Sequence, residues 1–415
     1  MKKVAVLLMV ILLAVAVVVT LDAVFPTDTG GNGEEHGHEE EERGEEPRIG
    51  YIGIEPGEEV DEHELDEFVE RVAEEAYAKA KVDKIRFIIF GLLFVLVYLS
   101  FVKIKGVSER LTAAIDWYTL GTATGLILTL LVIPSGIIIT FFYLPTPTGV
   151  YYSVENMTRN AVLAFFRNLH NWSSEIFIFL MMLHSARTIS TRTYLGKRKI
   201  IWLTGALLMI VGWLAFLGGT FMRGDQEALE GFEHMMFSFT LVPLGSYVAD
   251  FFSGELTLMK LTALHIGVAG FATALLIAIH VLMRKVYVHV QRRWKKAVIY
   301  TGALTVFLVV QSLSMEAPFI TGLEAGPAIS GMEISKPPWP IYFLVTGENL
   351  FGATAMVYSL LVFPPLLVFP YVVEFLPLTK AKKAEIGEVL FYVGVSLLLA
   401  TSYWGAASKI VAHIF

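Results

Sequence analysis

The sequence predicts an all-α membrane protein with about nine transmembrane helices. Of its 415 residues, 55% are hydrophobic and only 17% are charged, and the mean hydropathy is +0.62. Few residues are left for a soluble core. The stretches that are long and apolar enough to cross a hydrocarbon layer of about 30 Å are 4–24, 85–102, 119–143, 161–186, 200–221, 258–283, 297–315, 342–374 and 387–408.

The first 26 residues are expected to be either a retained membrane anchor or a secretory signal that is later removed. Lys2 and Lys3 precede an apolar run that ends near Pro26, and both kinds of segment have this pattern. In either case the acidic segment 27–84 lies outside the cell. The next helix therefore runs inward, and the topology of all later helices is the same.

Five further regions follow from the distribution of charge and apolar residues. Residues 30–48 are acidic and poor in apolar side chains, so they predict a solvated tether. Residues 58–81 repeat apolar side chains at helical spacing and predict a short amphipathic helix. An extra transmembrane helix is expected at 85–105, followed by the main bundle at 106–290 and a three-helix region at 291–415.

The basic residues support one orientation of the chain. Most of the 32 lysines and arginines lie in the short segments that are cytoplasmic when the amino end is cytoplasmic. Basic residues in short loops concentrate on that side of a membrane. We therefore expect a multi-pass protein of the plasma membrane whose N-terminus is cytoplasmic unless it is cleaved.

The chain contains no cysteine. This excludes disulfides, thiolate metal sites, iron–sulfur ligation and haem attached through a thioether. Any cofactor must therefore be held by nitrogen, by oxygen or by methionine sulfur.

Four histidines lie inside predicted spans, in two pairs of matched spacing. His170 and His184 are 14 residues apart on the fourth span, and His265 and His280 are 15 apart on the sixth. In an α-helix these separations return a side chain to within about 40–60° of the same face, about 21–22 Å further along the axis. Each span thus presents two imidazoles on one face at two levels. Ionisable side chains at membrane depth mark functional sites.

The two spans run in the same direction, so their histidines meet level by level. His170 pairs with His265 near the outer face, and His184 pairs with His280 near the inner face. Each pair can supply two axial nitrogens to one haem iron. This predicts a four-helix bundle with two haems and no open iron position, which suits electron transfer. The alternative is that these histidines only form hydrogen bonds between packed helices.

Glycines on the flanking spans repeat the same spacing. Gly121 and Gly136 are 15 residues apart on the third span, and Gly205 and Gly219 are 14 apart on the fifth. Helices without side chains at two levels let a large flat group come close. We expect these four glycines to lie beside the haems.

Several short motifs carry a family resemblance: RNLH at 167–170, HSAR at 184–187, GDQ at 224–226 and the histidine pair of the sixth span. With them, the region from Glu109 to Phe375 resembles cytochrome b of the quinol–cytochrome c oxidoreductases and their photosynthetic relatives. The gap of 15 residues in the sixth span and the three spans after it resemble the form in chloroplasts and some Gram-positive bacteria. There the last three spans are a separate subunit IV, whereas here they would be fused.

The resemblance implies two b-type haems, one near each face, with a quinone pocket beside each. It implies a homodimer within a larger respiratory complex, with a Rieske iron–sulfur protein or a c-type cytochrome as outer partner, and no nucleic acid. Arg167 matches a position that pairs with a haem propionate. Its alternative role is to extend along the interface towards water.

Two departures from the family pattern affect the outer pocket. The family carries Pro-Glu-Trp-Tyr after the seventh span, but this chain reads KPPWPIYFL at 336–344, so the carboxylate is missing. The family's Leu-Pro-Trp after the fifth span is replaced by Met222, Arg223 and Gly224. Pro338, Trp339 and Tyr342 are still expected at the outer pocket.

Quinol oxidation releases protons, so a base must lie within hydrogen-bond reach of the quinol. The candidates left are Glu348, Asp225, His234 and Glu175. We therefore predict a dihaem electron-transfer subunit of a quinol oxidoreductase. The altered loop keeps open a conduit to a multihaem cytochrome or a molybdenum enzyme, and a histidine-lined transporter is the alternative of another class.

Overall fold

The computed structural model describes residues 62–102, 106–322, 328, 332–333, 335–408 and 413–414. The predicted span 4–24 and the tether at 30–48 lie outside these residues. The helices are α1 (Glu62–Phe101), α2 (Val107–Ala114), α3 (Trp117–Thr140), α4 (Pro147–Arg159), α5 (Ala161–Ser190), α6 (Lys199–Phe221), α7 (Gln226–Thr240), α8 (Gly245–Phe251), α9 (Thr257–Leu282), α10 (Arg284–Ser314), α11 (Tyr342–Phe351), α12 (Thr354–Ser359), α13 (Phe363–Phe375) and α14 (Lys380–Ala407).

The described part of the chain is an all-α membrane protein. Within it, six helices are long and apolar enough to cross a membrane: α1, α3, α6, α9, α10 and α14. Helix α5 has 30 residues, a length that also suffices, but it carries buried Arg167, Glu175 and Arg187. Strands β1 (Met332–Glu333) and β2 (His413–Ile414) form one short antiparallel pair.

Helix α1 joins two elements that the sequence separated. In the residues that the structure describes, the predicted amphipathic helix at 58–81 and the predicted span at 85–105 are continuous as one helix of 40 residues, Glu62–Phe101. This stretch contains no proline, and its one glycine is Gly91. No residue therefore ends the helix between the two parts. Its buried face packs against α5 and α14, and it includes Phe68, Val72, Ala76, Ala80, Phe87, Phe90, Phe94 and Val97.

The predicted span 342–374 is not one helix in the structure. It is divided into α11, α12 and α13, with a 3-10 turn between the last two. Gly352 has a φ of +85°, which a continuing right-handed helix cannot contain. Pro364 and Pro365 follow at the start of α13, and Pro370 lies inside it, where each removes a backbone hydrogen bond.

Helices α3, α5, α6 and α9 form the central bundle, and two of them contain a wide π-helical turn. The turn in α3 is Leu128–Val132, directly before Pro134, whose missing N–H interrupts the regular ladder. The turn in α9 is Ala263–Gly270, which includes His265. Such turns are frequent at functional sites because they redirect side chains and carbonyls.

Candidate functional site

The outer pair of histidines faces across the bundle. The ring centres of His170 on α5 and His265 on α9 are 6.4 Å apart, with an interplanar angle of 82°. Imidazole nitrogens bind transition metals at about 2.0 Å, which places the centres of two rings on one ion about 6 Å apart. The spacing of this pair therefore fits a single metal ion held between the two rings.

Hydrogen bonds fix both rings in the orientation that such an ion needs. Nδ1 of His170 donates to the carbonyl of Val132 (2.9 Å), and Nδ1 of His265 donates to that of Ala215 (2.8 Å). Each carbonyl lies four residues before a glycine of the flanking helix, Gly136 or Gly219. A proton on Nδ1 leaves the lone pair on Nε2, the arrangement of a metal-binding histidine.

The inner pair is only partly arranged in the same way. Nδ1 of His280 lies 2.9 Å from Oγ1 of Thr204, and this hydroxyl donates to the carbonyl of Ile201 (3.0 Å), so it accepts from the ring. Nδ1 of His184 instead lies 3.2 Å from a guanidinium nitrogen of Arg187, which can only donate. Binding of iron through Nε2 of His184 therefore requires Arg187 to release Nδ1.

The four glycines contact the imidazole rings rather than leaving a bare face for a porphyrin, which refines the expectation from sequence. A Cβ atom at three of these glycines would lie within 3.0 Å of a ring carbon, too close for an ordinary contact. These three glycines therefore make room for one histidine each, whereas Gly205 is in ordinary contact distance of His280. The distances from the added Cβ atom to Cε1 of the histidine are 2.6 Å for Gly121–His184, 2.8 Å for Gly136–His170, 2.9 Å for Gly219–His265 and 3.5 Å for Gly205–His280.

A cavity of about 660 Å³ opens beside the outer pair. Its wall includes both histidines, their two glycines and Arg167, and it continues to the loop before α11. Arg167 donates to the carbonyls of Ala317 (3.0 Å) and Pro318 (2.6 Å) and lies over the ring of Phe319. It therefore holds the segment after α10 against the cavity.

The loop with the altered motif lies at the far end of this cavity. Pro338 and Trp339 are part of the wall, and Trp339 Nε1 donates to Glu175 Oε2 (2.8 Å). Tyr342 is buried beside them, with its ring 5.9 Å from that of Phe87. Of the four candidate bases from the sequence, Glu175 is the one that the structure brings to the cavity wall.

Asp225 has contacts that give it a structural role. It accepts from the amides of Ala228 (3.0 Å) and Ile320 (3.2 Å), which caps α7, and it pairs with Arg223 (3.2 Å). Burial raises the pKa of the Asp225 carboxyl, whereas Arg223 lowers it. Because both oxygens are occupied and the residue is not part of the cavity wall, the structure does not support the expectation that Asp225 contacts a quinol.

Glu348 and His234 are also separated from the cavity. They contact each other, with 3.1 Å between Oε1 and Nδ1, and this pair links α7 to α11. Neither is part of the cavity wall. The role of Glu348 at the outer pocket therefore stays a prediction that this cavity does not support.

Several charged residues at the site escaped the sequence analysis, among them Arg187, Asp83 and Arg86. Arg187 is 8% exposed and contacts the inner His184, although its place in HSAR could have pointed to it. Asp83 and Arg86 on α1 line the cavity, and Arg86 bridges Asp83 (2.8 Å) and Glu175 (3.6 Å). Their spacing along α1 contains no signal that relates them to a residue on α5.

The fold and the site together define a multi-pass membrane protein with histidine pairs buried in a helical bundle. Residues 175–337 match the sequence model of the family described as cytochrome b (N-terminal)/b6/petB, which includes His184, His265 and His280. Over these residues the chain is similar to the cytochrome b family. This confirms the resemblance, and the family carries haem b.

Individual relatives are consistent with that assignment. Cytochrome b6 of Prochlorococcus marinus (strain AS9601) is 25% identical over 174 residues, which cover 40% of this chain and 79% of the relative. Cytochrome b6 of Heliomicrobium gestii is 33% identical over 86 residues, 20% of this chain and 40% of the relative. A chain of the solved structure "Hyperthermophilic respiratory Complex III" shares the fold, with a TM-score of 0.55 and 18% identity over 70% of this chain and 83% of that chain.

Proposed function

We propose that this chain is the dihaem cytochrome b subunit of a membrane quinol oxidoreductase complex. The observation that carries the proposal is the outer histidine pair, whose ring centres are 6.4 Å apart and whose Nδ1 atoms both donate to backbone carbonyls. One haem would bind between His170 and His265, and the other between His184 and His280. Bound haem supplies one-electron transfer, and bis-imidazole ligation leaves no position for oxygen.

The residues around each level hold the ligands in place. Carbonyls of Val132 and Ala215 and the hydroxyl of Thr204 fix three of the four rings. Packing of helices α3 and α6 through their glycines keeps bulky side chains away from the imidazoles. Fixed ligands reorganise little when the charge of a bound metal changes, so this rigidity suits electron transfer.

The outer cavity is the proposed quinol pocket. Quinol has an apolar ring and two hydroxyls, and the wall combines apolar side chains with the Trp339–Glu175 pair at one end. Small-molecule pockets commonly have this composition and a volume of about 300–1,000 Å³. The quinol would give its electrons to the outer haem and to an outer partner, a Rieske iron–sulfur protein or a c-type cytochrome. We expect a homodimer of the complex in the plasma membrane.

A second candidate function follows from the altered loop. Pro337 and Pro338 stand where the family has Pro-Glu, and Met222-Arg223-Gly224 replaces Leu-Pro-Trp. A chain that no longer divides the electrons of quinol between two acceptors could serve as a dihaem conduit. Its outer partner would be a multihaem c-type cytochrome or a molybdenum enzyme.

Steady-state turnover of the purified complex with quinol separates these functions. A quinol oxidoreductase of the first kind loses turnover when an inhibitor fills the outer cavity. A conduit keeps passing electrons under the same conditions. A histidine-lined transporter, the alternative outside electron transfer, would show no haem α-band after reduction.

A further inference from the structure

Helix α1 forms one wall of the outer cavity although it lies outside the residues that match the family, 175–337. Lys79, Val82, Asp83 and Arg86 all line the cavity. The aromatic side chains of α1 also hold the altered loop, because the rings of Phe87 and Phe90 lie 5.8 and 6.0 Å from that of Trp339. The cavity is therefore completed by an element that the matched region does not contain.

Asp83 is the residue of this wall with unused bonding capacity. It is fully buried, and its Oδ1 accepts from Arg86 (2.8 Å). Its Oδ2 has no hydrogen-bond partner among the residues that the structure describes. A buried carboxylate oxygen without a donor raises the free energy of the folded protein. A hydroxyl of a bound ligand that donates to Oδ2 would lower it again.

The second carboxylate of the cavity is less available. Glu175 Oε2 accepts from Trp339 Nε1 (2.8 Å) and Oε1 accepts from Asn171 (3.3 Å). Arg86 lies between the two acids, 2.8 Å from Asp83 and 3.6 Å from Glu175. The guanidinium thus binds one oxygen of Asp83, and the other, Oδ2, has no donor in the described part of the chain although Asp83 lines the cavity. The buried hydroxyl of Tyr342 lies next to Asp83 but does not meet the geometry of a hydrogen bond to it.

We propose that Asp83 is the catalytic base of the outer pocket and replaces the carboxylate that the loop at 336–344 lacks. The inference rests on the proposed function. One quinol hydroxyl donates to Oδ2, its O–H bond breaks as an electron leaves, and the proton bonds to Asp83. Per quinol two electrons leave, one to the outer haem and one to the outer one-electron acceptor. Both protons pass in turn through Asp83 to water at the outer face.

The charges around Asp83 come from several elements and set the pH dependence of the step. Arg86 and Lys79 are the cations nearest to it on α1. Glu175 on α5, Glu227 on α7 and the phenol of Tyr342 on α11 face it from the elements packed against α1. Substituting Asp83 by Asn keeps its size and removes the acid while these neighbours stay.

The test compares Asp83→Asn with Glu74→Gln in the purified complex. Glu74 is an exposed acid on the same helix. General-base catalysis contributes about 100-fold or more, so we expect the rate of outer-haem reduction by quinol to fall about 100-fold in Asp83→Asn. The decrease of this rate at low pH should be absent in Asp83→Asn. The rate and the pH profile of Glu74→Gln should match those of the wild type. Both variants should keep two haems that dithionite reduces fully.

A second readout does not depend on turnover. When a quinone analogue is reduced in the cavity, the infrared difference spectrum of the wild type should contain a carboxyl C=O band that Asp83→Asn lacks. If Asp83→Asn fails to assemble, Asp83→Glu keeps the acid and should keep the band and most of the rate. Normal rate and pH profile in Asp83→Asn, or loss of activity in Asp83→Glu with haems intact, would overturn the proposal. A wild-type complex whose haems quinol cannot reduce would instead refute the proposed function.

Discussion

At the scale of single residues, the tautomer of each histidine depends on the group that contacts its Nδ1 atom. Three of the four have Nδ1 bound to a carbonyl or hydroxyl of a flanking helix, which selects the tautomer that binds metal through Nε2. At the fourth, His184, the neighbour is the buried Arg187. The two levels of the bundle therefore differ chemically, and the outer level is the more fully arranged.

Replacing His265 by Leu should remove the outer haem and leave the inner one. Leucine fills a similar volume but offers no nitrogen, so the iron would lose one of its two axial ligands. Haem content should fall from about two to about one per chain in a pyridine haemochrome assay. His234→Leu, outside the cavity, is the control and should keep both haems. Two full equivalents in His265→Leu would count against the pairing.

Replacing Gly136 by Ala should lower the occupancy of the outer haem severalfold. The added methyl group would lie 2.8 Å from Cε1 of His170, and the ring would have to move from its position over the iron. Gly302→Ala on α10 is the matched control, since a Cβ there meets nothing within 4 Å. Equal haem content in both variants would show that the glycine is not needed for the ligand.

The sequence could predict the haem ligands but not the whole site. His170, His184, His265 and His280 repeat on single helices, and the geometry of one helix relates residues 14 or 15 apart. The contact between Arg86 and Glu175 joins two helices across a sequence separation of 89 residues, and no local pattern relates them. For Asp225 the sequence does not distinguish two roles, because an acid beside the fifth span can cap a helix as readily as accept a proton.

At the scale of elements, the accuracy of the predicted spans depends on what ends each helix. Span boundaries near α3, α6 and α9 follow the apolar runs closely. The break within 342–374 depends on the backbone at Gly352 and on three prolines, which hydropathy does not register. The continuity of α1 has the converse cause: polarity changes along it, but no residue ends the helix.

Helix α14 should dock through Gly387. A Cβ at this position would lie 2.3 Å from the hydroxyl of Tyr194 and 2.5 Å from the ring of Phe369. Gly387→Ala is therefore expected to destabilise the fold by about 1–3 kcal/mol, seen as a lower Tm of the purified protein. Gly394→Ala on the same helix has open space around the new methyl group and should not lower Tm. An unchanged or higher Tm in Gly387→Ala would show that the gain in helix propensity outweighs any packing clash at this position.

Lys336 should make stability depend on pH. Its ammonium donates to the carbonyls of Gly405, Ala406 and Ser408 at the end of α14, and burial lowers its pKa to about 8. The unfolded chain, with a lysine pKa of about 10.4, binds the proton more tightly, so stability rises as pH rises from about 8 to about 10.4. The full rise is on the order of 3 kcal/mol.

The control for this prediction is Lys336→Met, which has no group to titrate there. The difference in Tm between wild type and Lys336→Met should move in favour of the wild type between pH values of about 8 and 10. Thermal unfolding in the same detergent measures both proteins. A difference that stays constant over this range would contradict the buried charge.

At the scale of the whole molecule, the large apolar side chains on the surface and the buried charged side chains occupy different parts of the bundle. Large apolar side chains are exposed on α9 and α10, among them Phe271 (69%), Leu282 (72%) and Leu313 (71%), as expected for helices that face hydrocarbon or a neighbouring subunit. The buried charges instead collect around the outer cavity. This distribution agrees with a membrane subunit that handles protons and electrons near one face.

The central claim is that two histidine pairs clamp two haem irons between α5 and α9. Near-infrared magnetic circular dichroism of the oxidised, purified protein, together with haem quantification, tests it most directly, because it identifies both axial ligands of a low-spin haem. We expect two haems b per chain, each with the charge-transfer band of bis-imidazole iron. A chain with fewer than two haems, or with a band of any other ligand pair, would contradict the claim.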